Sequence, residues 1–134
     1  MDYPGLELEN FDKAVIWRKY IYLLIKKYIN NNVLEVGAGI GSFTKNYEKK
    51  IRHLTLSETD DSNFNLLTSK FKDKNNIKVI NSFTSQISET FSTILYLNVL
   101  EHIEKDAEEI SQALKKLKAN GHLIILVPAH NELY

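Results

Sequence analysis

The sequence predicts an α/β fold, a doubly wound parallel sheet with helices on both faces, and three observations carry that expectation. Strand patterns alternate with helix patterns five times along 134 residues. The first, fourth and fifth strand segments, Val33–Val36, Thr93–Leu97 and His122–Val127, are almost wholly apolar, as in strands buried on both faces. Three of the five glycines, Gly37, Gly39 and Gly41, cluster where the first strand ends, a place where backbone turns tightly or approaches a ligand.

Each element has its own signal. Residues 11–29 read as a helix, with Trp17, Ile21, Leu24 and Tyr28 on one stripe and Phe11, Val15, Tyr22, Ile25 and Ile29 on a second. Two apolar sides imply cover on both, so Trp17, Tyr20 and Tyr28 count first as core; Trp17 and Tyr20 are also candidates to touch a cofactor or acceptor. Asn30-Asn31-Asn32 ends the helix, and Val33-Leu34-Glu35-Val36 is the first strand. Ser42–Lys50 reads as a helix with Phe43 and Tyr47 one turn apart. His53–Ser57 is the second strand, with Glu58 at its end, and Asp60, Asp61 and Ser62 start a helix bearing Phe64, Leu67 and Phe71. Ile77–Ile80 is the third strand. The polar stretch 82–92 is a loop or short helix, and Thr93–Leu97 is the fourth strand. A helix from about Glu104 to Lys118 places Ile103, Ala107, Ile110, Leu114 and Leu117 on one face. Its acids come early and its lysines late, and Asn120-Gly121 stops it. His122–Val127 is the fifth strand, ended by Pro128; His53 and His122 sit at strand starts and are expected to be structural.

Composition narrows the function classes. The length fits a single domain, 1–134, with a leader and N-terminal helix over 1–31 and the five-stranded core over 32–134. Seventeen basic residues balance seventeen acidic ones, which leaves no electrostatic footprint for nucleic acid or an anionic membrane. The absence of cysteine excludes disulfides, zinc knuckles, iron–sulfur sites and thiol nucleophiles, and no metal-ligand cluster is visible. No basic n-region or long apolar run is present, so the expectation is a soluble, cytoplasmic protein. Fifteen lysines against two arginines are read as composition bias.

The most specific feature is Glu35-Val36-Gly37-Ala38-Gly39-Ile40-Gly41. In an open parallel sheet, ligands bind beyond the carboxyl ends of the strands where strand order reverses, and the loop after the first strand lies there. Two ligand types compete for it. A nicotinamide or flavin dinucleotide asks for GxGxxG, to which Gly37-x-Gly39-x-x-Ser42 is a near miss; S-adenosylmethionine is met by an acid followed by GxGxG. A dinucleotide would lay its pyrophosphate beside Glu35, whereas a sulfonium and an ammonium suit a carboxylate. A turn without a ligand needs one or two glycines rather than three at alternate positions. Glu58, 17 residues after Gly41, suits two ribose hydroxyls and so supports a nucleoside of either kind. Its bland alternative is a solvated loop acid beside Asp60 and Asp61, which are themselves helix caps.

VLEVGAGIG at 33–41, NVLEHIEKD at 98–106 and NGHLIILVPAHNELY at 120–134 follow one another in order, preceded by Leu6-Glu7-Leu8, Phe11, Ala14, Trp17 and Tyr20. On these motifs the sequence resembles the class I S-adenosylmethionine-dependent methyltransferases of small-molecule type, over almost its whole length. The resemblance implies a Rossmann-like sheet of order 3-2-1-4-5 and S-adenosyl-L-methionine as cofactor. Gly37 and Gly39 would let backbone approach the methionine part, with Glu35 supporting the loop or the ammonium; Glu58 would hold the ribose. Ser82, or the backbone of Phe83, would meet the adenine where the family usually has an acid. Asn98 and Val99 would line the sulfonium end, and Ala38, Gly41 and Thr59 complete the expected contacts. The catalytic base stays open between His130 and His102, and a structural or cofactor-side role is favoured for His102.

The expected function is therefore methyl transfer to an unidentified small-molecule acceptor, without a metal. The alternatives are a non-catalytic S-adenosylmethionine or nucleoside-binding module, one part of a larger assembly, and then a nicotinamide-dependent enzyme. The resemblance further implies that the family's last helix and two strands are missing here. Strand five would then be an apolar edge without charge or bulge, through which the protein forms a homo-oligomer or pairs with a separate chain and turns over weakly alone.

Overall fold

The computed structural model describes the backbone of residues 4–129 and the side chains of residues 13–129. Helix α1 (Pro4–Ile25) and a 3-10 turn (Lys26–Tyr28) lead into β1 (Asn32–Val36). Two 3-10 turns (Thr44–Asn46 and Glu48–Lys50) precede β2 (His53–Ser57), α2 (Asp61–Phe71) and β3 (Ile77–Ile80). A 3-10 turn (Thr84–Gln86), β4 (Phe91–Leu97), another turn (Leu100–His102), α3 (Asp106–Lys115) and β5 (Leu117–Leu126) follow. The strands form one parallel sheet in the order β3-β2-β1-β4-β5, as the resemblance implied. Chain order reverses at β1, whose loop departs toward β2 while its other neighbour is β4, and a crevice opens at the strands' carboxyl ends. Among the described residues no helix is long and apolar enough to cross a membrane.

Strand alternation sorts the core into two layers. Val33, Leu54, Leu56 and Leu95 point to the face covered by Ile21 of α1, by Phe43 and Tyr47, and by Leu67 and Phe71 of α2. Leu34, Val36, Ile94 and Tyr96 point to the opposite face, under Ala113 of α3, Ile87 and Leu100. Asp60 caps α2, its carboxylate accepting the N–H of Asn63 at 2.8 Å.

Five expectations need correction. The segment 42–50 is not an α-helix but two 3-10 turns, with Tyr47 at φ −133° between them. Ser42, Phe43, Thr44, Asn46 and Tyr47 are all indifferent helix formers, and side chains here bond to β1 instead of extending a helix. The last helix stops at Lys115, and Asn120-Gly121 does not end it. These two residues lie in a bulge of β5, where the pairing jumps from Leu117 opposite Phe91 to His122 opposite Thr93. Asn120 is left-handed there (φ 63°), and a Cβ on Gly121 would lie 2.8 Å from the Ser92 carbonyl oxygen. The strand-five edge thus does carry a bulge, and Leu114, expected on the packed face of α3, is exposed while Ala113 is buried. Finally, Trp17, Tyr20 and Tyr28 are 52%, 52% and 40% exposed rather than core; Ile21 is the side chain of α1 buried in the core, with Tyr22 and Ile25 packed against it, and Tyr28 lies in the 3-10 turn that follows.

Glu35 holds the irregular segment in place. Its parity on β1 turns it into the α1–α2 layer, where it is buried and accepts hydrogen bonds from the Thr44 hydroxyl (2.9 Å) and the Tyr47 hydroxyl (2.5 Å). Burial pushes its carboxyl from 4.5 up to about 7, against the opposing pull of the Tyr47 and Thr44 hydrogen bonds. The folded chain therefore holds this proton more tightly than the unfolded chain. Its contribution is complete below the unfolded value and is lost as pH rises through about 7, a change on the order of 3 kcal/mol. Denaturant titrations should show stability falling between about pH 5 and pH 8. Glu35→Gln should flatten that limb; a limb of unchanged steepness would assign the effect to other groups.

Candidate functional site

The loop after β1 is tied to the end of β2 by backbone bonds. The N–H groups of Gly37 and Ala38 both donate to the Ser57 carbonyl, at 2.9 and 3.1 Å. Lys70 of α2 reaches over to donate to the Ile40 carbonyl at 2.8 Å. Gly37, Gly39 and Gly41 all have left-handed φ. Their surroundings differ. A Cβ on Gly41 would lie 2.8 Å from the Phe71 ring, so this glycine serves the packing of α2. A Cβ on Gly39 would meet nothing within 4 Å. The bare backbone of Gly39 faces open space.

That space is two cavities that share Gly37, Gly39 and Asn98. The larger, about 440 Å³, is lined by Ser57, Glu58, Thr59, Ser82, Phe83, Val99, His102, Ile103 and Glu109 among others. Glu58 is not a solvated acid: it is buried at 8% exposure. Its two oxygens accept the N–H of Gly39 at 2.7 Å and of Asp60 at 3.1 Å. A carboxylate has roughly four acceptor sites, so two backbone bonds leave Glu58 able to accept more. The smaller cavity, about 240 Å³, lies under α1 and is lined by Trp17, Arg18, Glu35, Ala38, Phe43 and Leu126 among others. Asn98 stands between the two with φ 58°, a conformation Asn tolerates better than most residues, its N–H bonded to the Leu126 carbonyl at 2.8 Å.

Of the residues singled out in the sequence, Glu35, Gly37, Ala38, Gly39, Glu58, Thr59, Ser82, Phe83, Asn98, Val99 and His102 come together around these two cavities. Gly41 lines neither. His102 is exposed, with Nε2 3.5 Å from the Glu101 carboxylate. His130 lies outside the described residues. His53 and His122 are exposed, and the ring of His122 packs on Tyr28 at 5.2 Å between centroids. Sequence reading missed two charged wall residues. Arg18, one of only two arginines, stands in a lysine-rich composition that hides it. Glu109 is one of several acids at the start of α3 and carries no motif of its own.

The arrangement suits an elongated ligand with hydroxyl donors at Glu58, a flat apolar part beside the exposed Phe83 ring and Ile103, and a zwitterionic end between Arg18 and Glu35. Among the described residues no three His, Asp or Glu side chains group as metal ligands.

A family described as methyltransferase domain matches residues 11–133. Among curated proteins, a hybrid PKS-NRPS synthetase of Pyrenochaetopsis sp is 29% identical over 140 residues, covering 96% of this chain and 4% of that protein. Among solved structures, the N-methyltransferase NodS from Bradyrhizobium japonicum, in complex with S-adenosyl-L-homocysteine, aligns with a TM-score of 0.71 at 21% identity, over 85% of this chain and 60% of that one. An S-adenosylmethionine-dependent methyltransferase from Clostridium acetobutylicum gives 0.71 at 17%, over 84% and 50%. CalS10, an amino pentose methyltransferase from Micromonospora echinaspora, gives 0.66 at 14%, over 98% and 59%. The chain thus spans 50–60% of the length of these three solved structures. These structural likenesses establish a shared fold, and with the match over residues 11–133 they show that the chain belongs to the methyltransferase-domain family.

Proposed function

We propose that this domain binds S-adenosyl-L-methionine and serves methyl transfer to a small-molecule acceptor, not to nucleic acid or a membrane. The observation that carries the reading is Gly39, whose Cβ side is open and joins a cavity holding a buried carboxylate, Glu58, to one holding Arg18 and Glu35. When bound, the cofactor supplies a methyl group on a sulfonium, already activated for in-line displacement. Glu58, fixed by the N–H groups of Gly39 and Asp60, accepts the ribose hydroxyls. Arg18 takes the carboxylate of the amino-acid end and Glu35 its ammonium, a charge arrangement that a pyrophosphate between Glu35 and Glu58 would not enjoy. Asn98 and Val99 line the waist where the sulfonium lies. The chain's share of the reaction is alignment of acceptor and methyl group and exclusion of water, with His102 at the cavity wall as candidate base for an acceptor that must lose a proton. We read residues 1–134 as one domain working in the cytoplasm, consistent with the cysteine-free sequence.

The outer edge of β5 is read as a contact surface for another strand, from a second copy or another chain. Ile125 of β5 and Val127 just beyond the strand are exposed, at 39% and 48%, and the bulge interrupts only the 117–122 end. Sedimentation at low micromolar concentration should then show self-association; a monomer whose 122–127 amides resist hydrogen exchange would refute it.

Titration calorimetry with S-adenosylhomocysteine should give a dissociation constant in the micromolar to millimolar range, and NADH should give no heat. No heat from the first ligand on folded protein would overturn the reading. Gly39→Val should abolish binding by filling the open space, while Gly41→Ala, which drives a methyl into Phe71, should lower the unfolding temperature and leave binding in the folded fraction. Glu58→Ala should weaken binding by about 1–3 kcal/mol by leaving ribose hydroxyls unpaired; an unchanged constant would remove Glu58 from the site.

A further inference from the structure

Among the described residues twelve large apolar side chains are exposed, and six of them lie between Ile16 and Tyr28. Scattered singly such residues need no explanation, but gathered on one helix they mark a contact surface. Ile16, Tyr20 and Leu23 follow one another along α1 at spacings of four and three, with Trp17 and Leu24 beside them, each more than half exposed. That is the spacing of a seam by which one helix meets another. It lies on the side of α1 away from Ile21 and Ile25, the residues that meet the core. Helix α1 is thus apolar on two sides, and the sheet covers one.

The charges around this seam have one sign. From Lys13 to Ile29 the chain carries no acidic residue. Lys19 stands at one edge of the seam, and Lys26 and Lys27, in the 3-10 turn that continues α1, stand at its end; all three are exposed. The turn against α1, Thr44–Asn46, and the next, Glu48–Lys50, add the exposed Lys45, Lys49 and Lys50, while Glu48 is buried. Two copies of α1 laid seam to seam would bring lysines together with no acid between them. The acid-rich α3 shows Leu114 as its one exposed large apolar side chain and has no seam to offer. A lipid surface suits an apolar band edged by cations on both sides, whereas here Lys19 edges one side and Trp17 and Leu24 the other. We propose that the outward face of α1 docks an amphipathic helix of another protein, apolar along its contact stripe and acidic beside it. Ile16, Tyr20 and Leu23 pack against that stripe, and its carboxylates meet Lys19, Lys26 and Lys27. Docking here does not depend on the cofactor, but Trp17 belongs both to this face and to the wall of the smaller cavity, so the partner helix sits beside the site.

The test uses fluorescence anisotropy with two labelled synthetic helices of about three heptads, both with Leu at the seam positions, one with Glu beside the seam and one with Lys. The folded full chain should bind the Glu helix at micromolar concentration and the Lys helix about tenfold or more weakly, the gap closing as salt rises. Leu23→Glu, at an exposed position, should weaken binding of the Glu helix by at least about tenfold without moving the thermal midpoint. Lys19→Glu together with Lys26→Glu should invert the preference between the two helices, which loss of an unspecific apolar contact would not do. Equal affinity for the two helices, or no binding of the Glu helix, overturns the proposal. Binding to phosphatidylserine-containing vesicles in place of the Glu helix overturns it too, and makes the occupant a lipid surface. Self-association that Leu23→Glu abolishes, read by sedimentation, overturns it in favour of a second copy.

Discussion

The carboxyl ends of β1 and β2 are fastened to each other beyond the last sheet pair, and the site depends on that fastening. One carbonyl, that of Ser57, accepts the N–H groups of both Gly37 and Ala38, and the next residue's carboxylate accepts the N–H of Gly39. Three successive amides of the first loop are thereby satisfied by two successive residues of the neighbouring strand. Buried amides need partners, and these three find them on the neighbouring strand, while the Gly41 N–H turns back to the Ala38 carbonyl at 3.0 Å. The left-handed turns at the glycines follow from that geometry, as does the absence of protein on the outer side of Gly39. The same bond that positions the loop also positions Glu58, so scaffold and cavity-wall carboxylate are set by a single contact.

Glu35 plays the complementary part beneath the loop. A carboxyl in an apolar layer is costly when charged, and here it is offset by two hydroxyl donors rather than by a cation. Those donors lie in the segment that fails to form an α-helix. One buried acid therefore substitutes for regular secondary structure in holding Phe43 and Tyr47 against β1.

Much of this was legible in the sequence, for identifiable reasons. Apolar runs such as Thr93–Leu97 and the Glu35–Gly41 loop follow local rules, and both stand where those rules put them. The misses come from information that is not local. Trp17 shares a helical stripe with Ile21, but of the two only Ile21 is buried in the core, while Trp17, one turn along, stands half exposed at the wall of the smaller cavity. Gly41 and Gly39 look alike in the motif, and only Phe71, thirty residues after Gly41, separates a packing glycine from one that faces open space. Asn120-Gly121 is a common helix stop, yet it serves equally well at a bulge, since both require left-handed or crowded backbone. Arg18 and Glu109 carry no motif, and their place at the cavities follows from the packing of α1 and α3.

The cavity walls are drawn from α1, the β1 loop, the β2 end, the turn after β3, the β4 loop and α3, from Arg18 to Glu109. No local fragment of the chain contains them all, so they exist together only in the folded chain. Occupancy is then thermodynamically linked to global rather than local unfolding. A ligand that binds only the assembled site stabilises the whole domain by RT ln(1 + [L]/Kd), about 2.7 kcal/mol at a hundredfold excess over Kd. The domain's resistance to unfolding would then vary with the supply of its own ligand.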